Sequence, residues 1–399
     1  MSLPTAIIER SAGPAEAAAP LRTVAIWLLG CCAMIFAMVV IGGITRLTLS
    51  GLSITEWQPV TGILPPLSAA GWAAEFEKYR HIPQYRLLNT GMSLADFQTI
   101  YWWEYVHRLW GRLIGVVYAV PFLYFWLRGR LPKRLFAPLG GILLLGAAQG
   151  ALGWYMVKSG LADRVDVSQY RLVAHLALAL AIYALTLWIA LDLLQCPSPA
   201  LRERVAEAQP RPGEGIRRGS TVRPLTPTLS PDGREGVLSL WRRGAEAMIA
   251  LVALTIVAGG FVAGLHAGLT YNTFPLMDGH FVPLDYGQLQ PFLRNWFENV
   301  AAVQFDHRVL AMTTAAAAVL LWIAGRHAPL PRLARLALHA LLAAAALQFA
   351  LGVSILLLVV PIPLAAAHQA GAVLLLTAGI VLRHTLRRPQ LDAAAARAI

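Results

Sequence analysis

The chain has 399 residues, of which 57% are hydrophobic and only 14% charged, with a formal net charge of +12. A water-soluble domain carries about 25% charged residues. Here the deficit lies in long uncharged runs, so the solvent of this chain is lipid. The positive charge does not point to nucleic acid, because the basic residues lie in short segments between apolar runs and not on one face.

Eight apolar runs, near 22–44, 101–127, 135–156, 168–194, 246–267, 301–324, 333–357 and 362–384, each come close to the ~20 residues that cross a bilayer as a helix. The first run is long enough to span and has no small-residue cleavage site after it, so it reads as a retained helix. Cys31, Cys32 and Cys196 form no metal-spaced motif, and the first two read as core residues. Basic residues collect in alternate connections. Arg128, Arg130, Lys133 and Arg134 follow the second run, Arg326, Arg332 and Arg335 follow the sixth, and Arg383, Arg387, Arg388 and Arg397 lie in or next to the C-terminal tail. The opposite connections are poorer for their length, which puts both termini on the cytoplasmic side. Residues 196–245 are rich in Pro, Arg, Gly, Ser and Thr. Such a composition buries no core and reads as a disordered cytoplasmic linker. The expected organisation is a tail 1–21, a four-helix half 22–195, the linker, a second four-helix half 246–384 and a tail 385–399.

The halves are duplicated. Gly42-Gly43 matches Gly259-Gly260, and Leu49-Ser50-Gly51-Leu52-Ser53 matches His266-Ala267-Gly268-Leu269-Thr270. Glu104-Tyr105-Val106-His107-Arg108 matches Gln304-Phe305-Asp306-His307-Arg308. Gln149 through Gly153 match Gln348 through Gly352, and Leu172 through His175 match Ala365 through His368. Chance similarity between apolar helices repeats Leu and Ala, not polar anchors in order. Four spans per half give both halves one orientation, hence a pseudo-two-fold axis along the membrane normal. The fold class is an all-α integral membrane protein of eight transmembrane helices, built as two tandem four-helix bundles.

Ionisable residues inside spans point to function. Each half has two such histidines, His107 and His175 in the first and His307 and His368 in the second, all expected roughly six residues from the outer end, about 9 Å deep. Two imidazoles at one depth on two helices suit bis-histidine haem ligation. A single membrane histidine is as readily a hydrogen-bonding residue, but four at matched depth favour ligation. Zinc fits less well, since two histidines lack the remaining ligands. Arg108 and Arg308 follow their histidines and are placed to fork onto haem propionates. His266 is expected to support a ligand, His81 and His280 to be loop residues, and His327, His339 and His384 to face the cytoplasmic interface.

One asymmetry breaks the repeat. Glu104 shares a helix face with His107, and its counterpart Gln304 does not ionise. Glu104 is either a helix cap or ion-pair partner, or a reactive carboxylate.

The Glu104-x-x-His107-Arg108 motif resembles the heme A synthase family. So do Gly42-Gly43-Ile44-Thr45-Arg46, Gly51-Leu52-Ser53, Glu56-Trp57, Tyr101-Trp102-Trp103-Glu104, Pro83-Gln84-Tyr85 through Asn89, and Asp96-Phe97-Gln98. In the second half Asn272 through Met277 and Asn295-Trp296 belong to the same likeness, and the long first outer loop is similar to the mitochondrial and proteobacterial branch. The resemblance implies oxidation of the C8 methyl group of heme O to a formyl group, giving heme A for cytochrome c oxidase. It implies substrate heme between His107 and His175 with Glu104 as the catalytic carboxylate, and haem b as cofactor on the iron ligands His307 and His368. It implies heme O synthase and cytochrome c oxidase assembly factors as partners, a bilayer around the chain, no nucleic acid, and location in the inner (plasma) membrane. A homo-oligomer stays open. The chain lacks the outer-loop cysteines of some relatives, and its roughly fifty-residue linker is longer than usual for the family. A di-haem electron carrier would explain the four histidines but not Glu104 against Gln304. A transporter would break its helices at the midplane.

Overall fold

A computed structural model describes residues 14–58, 61–162, 165–194 and 231–387. The outermost parts of both expected tails, the last residue of the first half, and residues 196–230 of the expected linker lie outside the described residues. Among the described residues there are helices and turns but no strand, only one isolated bridge between Met277 and His280.

Among the described residues, eight helices are long and apolar enough to cross a membrane. They are α1 (Pro14–Leu47), α2 (Leu94–Leu127), α3 (Lys133–Ala162), α4 (Gln169–Leu194), α5 (Pro231–Gly264), α6 (Val300–Gly325), α7 (Arg332–Leu357) and α8 (Ile362–Thr385). Their ends differ from the hydropathy windows for local reasons. α2 opens seven residues earlier than expected because Ser93 and Asp96 form a capping box, with Ser93 Oγ accepting from the Asp96 amide at 3.2 Å. At 34 residues, about 50 Å, this helix stands proud of a ~30 Å hydrocarbon layer. α5 starts at Pro231, so the last fifteen residues of the expected linker are helical. The Asn299 side chain caps α6 by accepting from the Ala301 and Ala302 amides.

Each half closes into a ring. α1 packs on α2 and α4, and α3 on α2 and α4; in the second half α5 packs on α6 and α8, and α7 on α6 and α8. Between the halves α1 meets α8 and α4 meets α5, two contacts that exchange when α1 is swapped with α5 and α4 with α8. That exchange is the signature of the duplicated arrangement. The shared core follows from it: Leu28, Cys31, Cys32 and Ile35 of α1 are buried in one cluster with Tyr183 and Leu187 of α4, Met248 and Val252 of α5, and Val373 and Ile380 of α8. The flanking helices turn Leu113, Val116, Leu144, Leu320 and Leu347 outward, where lipid takes the place of a protein core.

The connections α1–α2 and α5–α6 are long and lie on one face, here the long-loop face. The first contains two short helices, Ala69–Arg80 and Pro83–Leu88. It has its own core of Leu52, Tyr79 and Ile82 against Phe97, Tyr101 and Tyr105 of α2. Tyr79 donates to Gln84 Oε1 at 2.9 Å, and Gln84 donates to the Leu49 carbonyl at 3.1 Å.

Candidate functional site: two glycine-seated histidine pairs

All four histidines rest on a glycine of the neighbouring helix. A Cβ on Gly42 of α1 would lie 2.9 Å from His107 Cε1, and one on Gly153 of α3 would lie 3.0 Å from His175 Cε1. In the second half the same holds for Gly259 of α5 against His307, at 3.0 Å, and Gly352 of α7 against His368, at 3.1 Å. The absent side chain lets the Cε1 corner of each imidazole come close against the neighbouring helix. The seats fall at duplicated positions, so the fold carries the same device four times.

The ring atoms divide accordingly. Nδ1 of each histidine is buried; His307 and His368 have the backbone of Thr255 and of Gln348 beside them, while Nδ1 of His107 and of His175 has no hydrogen-bond partner. Each histidine as a whole is only partly buried, and Nε2 is the ring nitrogen left to meet a ligand. His107 and His175 lie within electrostatic reach of each other, as do His307 and His368. Among the described residues no three His, Cys, Asp or Glu side chains come together. Two opposed imidazoles are the donor set of an iron whose other four ligands belong to a porphyrin. The residues present therefore fit haem in both halves.

The depths match less evenly along the helices than expected. His175 and His368 stand six residues, and His307 seven residues, from the first residue of their helices. His107 stands thirteen residues in, because α2 projects beyond the membrane on the long-loop side.

Glu104 is 2% exposed, and both of its oxygens are occupied. Oε2 accepts from Ser53 Oγ and from the Ile54 amide, each at 2.7 Å. Oε1 accepts from Arg108 Nε at 3.0 Å and Nη2 at 2.6 Å. Arg108 also donates to the Ile54 carbonyl at 2.7 Å and the Glu56 carbonyl at 3.0 Å. The second half repeats this with an amide. Gln304 Nε2 donates to the Ala267 carbonyl at 2.8 Å, and Arg308 donates to the Tyr271 and Thr273 carbonyls at 2.6 and 2.8 Å. Tyr271 and Thr273 stand where Ile54 and Glu56 stand in the first half. Arg108 and Arg308 thus fasten the long loops to α2 and α6. Arg108 has one N–H left on Nη1, and Arg308 Nε is buried without a partner. Loop carbonyls together with Glu104 or Gln304 occupy four of the five N–H groups of Arg108 and three of those of Arg308, leaving one and two for the expected fork onto propionates.

The second glycine of each Gly-Gly pair serves the other half. The Gln369 side chain, next to His368, fills the space that a Cβ on Gly43 would take. Its counterpart Leu176, next to His175, lies against Gly260 together with Val173. The remaining histidines are mixed. His280 hydrogen-bonds within its loop, and His339 accepts from Trp322 Nε1 at 2.9 Å. His384 is 1% exposed and is held by Asp192 of α4 at 2.7 Å, so it belongs to the contact between halves and not to the membrane interface. His266 likewise reaches across to the first half, to Arg46 and Asp166.

Comparison with known proteins agrees with this geometry. The family described as cytochrome oxidase assembly protein, COX15-CtaA, matches residues 25–380. A heme A synthase of Nitrosospira multiformis is 52% identical over 367 residues, covering 92% of this chain and 94% of the relative. The heme A synthase COX15 of Arabidopsis thaliana is 44% identical, covering 92% of this chain and 75% of the relative, and that of Homo sapiens is 42% identical, covering 92% and 83%. Four seated histidines, a duplicated latch and likeness over nine-tenths of the chain together make this protein a member of the COX15-CtaA, heme A synthase family.

Proposed function

We propose that the chain oxidises the C8 methyl group of heme O to the formyl group of heme A, for use by cytochrome c oxidase. The reaction takes place in the first half, between His107 and His175, while His307 and His368 hold haem b in the second. The observation that supports this division is the arginine-fastened loop: two corresponding arrangements differ by Glu104 in one half and Gln304 in the other. When bound, haem b supplies a one-electron carrier beside the reacting half.

The chain's own residues do the rest. Gly42 and Gly153 leave room for the rings of His107 and His175, which would hold the substrate iron. Glu104 lies one turn from His107 toward the long loops. It is held in one orientation by Arg108, Ser53 and Ile54, and it takes a proton or orients a water when one of these donors gives way. The loop fastened by Arg108 closes the long-loop end of α2 and keeps bulk water off the reacting group.

The basic residues Arg128, Arg130, Lys133, Arg326, Arg332 and Arg335 lie on the face opposite the long loops. They support placement in the inner (plasma) membrane with both termini cytoplasmic and both haem sites toward the outer leaflet. Heme O synthase, as the source of an apolar substrate, and oxidase assembly factors, as receivers of the product, are the proposed partners. The test is to express the chain with a heme O source, extract the haem and separate it. New heme A supports the reading, and bound haem b with unchanged heme O overturns it in favour of an electron carrier.

A further inference from the structure

Besides the histidine pairs, the long-loop face holds a cluster of ionisable side chains that joins the two halves. Arg46 lies one turn beyond Gly42 on α1, Asp166 lies between α3 and α4, and His266 follows α5. Arg46 Nη2 donates to the Ala263 carbonyl at 3.0 Å and stands 2.6 Å from His266 Nε2. Asp166 Oδ2 stands 2.7 Å from the same Nε2, and Arg46 Nη1 is 3.7 Å from Asp166 Oδ1. Among the described residues, these two are the charged groups that face the imidazole.

One ring nitrogen thus meets a donor and an acceptor together. An imidazole nitrogen carries a lone pair or a hydrogen, not both. With a lone pair at Nε2, His266 accepts from Arg46 and is repelled by Asp166. With a hydrogen there, it donates to Asp166 and presses a proton against the guanidinium. Neither state satisfies both neighbours, so the ring sits between a fixed cation and a proton-accepting carboxylate. Exposure rises along the cluster, from 13% for the Arg46 side chain to 25% for Asp166 and 39% for His266. It therefore leads from the contact between halves to solvent. The backbone at His266 is left-handed, φ 52°, and so is its counterpart Leu49, φ 55°. The turn belongs to the duplicated fold, and an ionisable side chain occupies it in the second half alone.

Taking the first half as the reacting half, as proposed above, its chemistry removes hydrogen from a methyl group. That hydrogen leaves as protons, which need an ionisable way out of the lipid. We propose that His266, with Arg46 and Asp166, is a proton-exit relay between the two halves. With Nε2–H toward Asp166, a proton arriving from the reacting half binds the other ring nitrogen, Nδ1, while the Nε2 proton is handed to Asp166 and passes to water on the long-loop face, which returns the ring to its neutral form.

The test is His266→Gln in the haem-loaded protein. A glutamine carbonyl accepts from Arg46 while its NH2 donates to Asp166, so both contacts survive and no transferable proton remains. The variant should keep the haem content and melting temperature of the wild type. It should form heme A at least about tenfold more slowly, with a flattened rate profile between about pH 5 and 8, and free imidazole should restore part of the rate. A wild-type rate and profile in His266→Gln would show a mere clasp and overturn the relay. Loss of haem or of folding in His266→Gln, with Asp166→Asn still active at the wild-type rate, would overturn it as well. If the wild type itself makes no heme A, the reading of the first half fails on its own. The relay is then judged by the pH dependence of the haem b midpoint potential, and equal slopes in wild type and variant would reject it.

Discussion

Glu104→Gln removes one charge and changes one oxygen to an NH2 with almost no change of shape. The structure shows why this is not a silent exchange. The amide oxygen can stay with Arg108 or with Ser53 and Ile54, not with both pairs. If it stays with Arg108, the new NH2 faces the Ile54 N–H. Ser53 can rotate its hydroxyl to accept, but the Ile54 amide is left unpaired, at about 1–3 kcal/mol. Removing one partner of a pair whose carboxylate is 2–3% exposed adds to this. Because Arg108 keeps its carbonyl partners, the total is about 2–4 kcal/mol. A proton acceptor in the reaction contributes a further ~10²–10⁴-fold in rate. The expected outcome is a lower melting temperature in detergent, haem b bound as in the wild type, and heme A per folded protein reduced at least about a hundredfold. Ser53→Ala is the control, because it loses one hydrogen bond to the carboxylate, about 1.5–3 kcal/mol, and keeps Glu104. It should melt lower while making heme A at near the wild-type rate per folded molecule. Near-normal heme A from folded Glu104→Gln would refute the catalytic assignment and leave the residue as a loop fastener.

Other outcomes follow from the same geometry. Gly352→Ala forces the His368 ring off its seat at a cost of about 1–3 kcal/mol and should broaden or abolish the low-spin haem b spectrum, whereas Gly153→Ala should spare that spectrum and lower heme A yield. His307→Ala should remove the haem b signal from purified protein, and His107→Ala or His175→Ala should leave most of it; a full low-spin spectrum in His307→Ala would contradict the division between halves. Shortening the chain within 200–230, with enough residues kept to join α4 to α5, should leave heme A formation nearly intact, and lost activity at normal protein level would show that the segment does more than connect.

The spans and the four histidines were legible in the sequence because lipid imposes a strong rule. Apolar runs must be long, and ionisable residues inside them are few. Helix ends were not, since the polar first turns of α2 and α5 lie outside the apolar windows and depend on caps such as Ser93. Glycines of the seats were visible as repeated letters, but the sequence did not say that each lies under an imidazole. The arginines were assigned to propionates because loop carbonyls, which hold them, leave no trace in residue type. His266 and His384 were undervalued because their partners Asp166 and Asp192 are 100 and 192 residues away. Only the third dimension brings them together.

The paired glycines have a consequence for how the chain holds together. Gly42 and Gly259 are notches cut for a neighbour in the same half, whereas Gly43 and Gly260 are notches cut for a helix of the other half. A lone four-helix unit would present its second notch, and the ridge that fills it, to lipid at the same depth. Its most economical remedy would be another copy of itself turned by half a revolution, ridge to notch and notch to ridge. That is an isologous contact, and the tandem chain preserves it as a dimer interface fused into one molecule. Gln369 against Leu176 is where the two formerly equal sides of that interface have parted company.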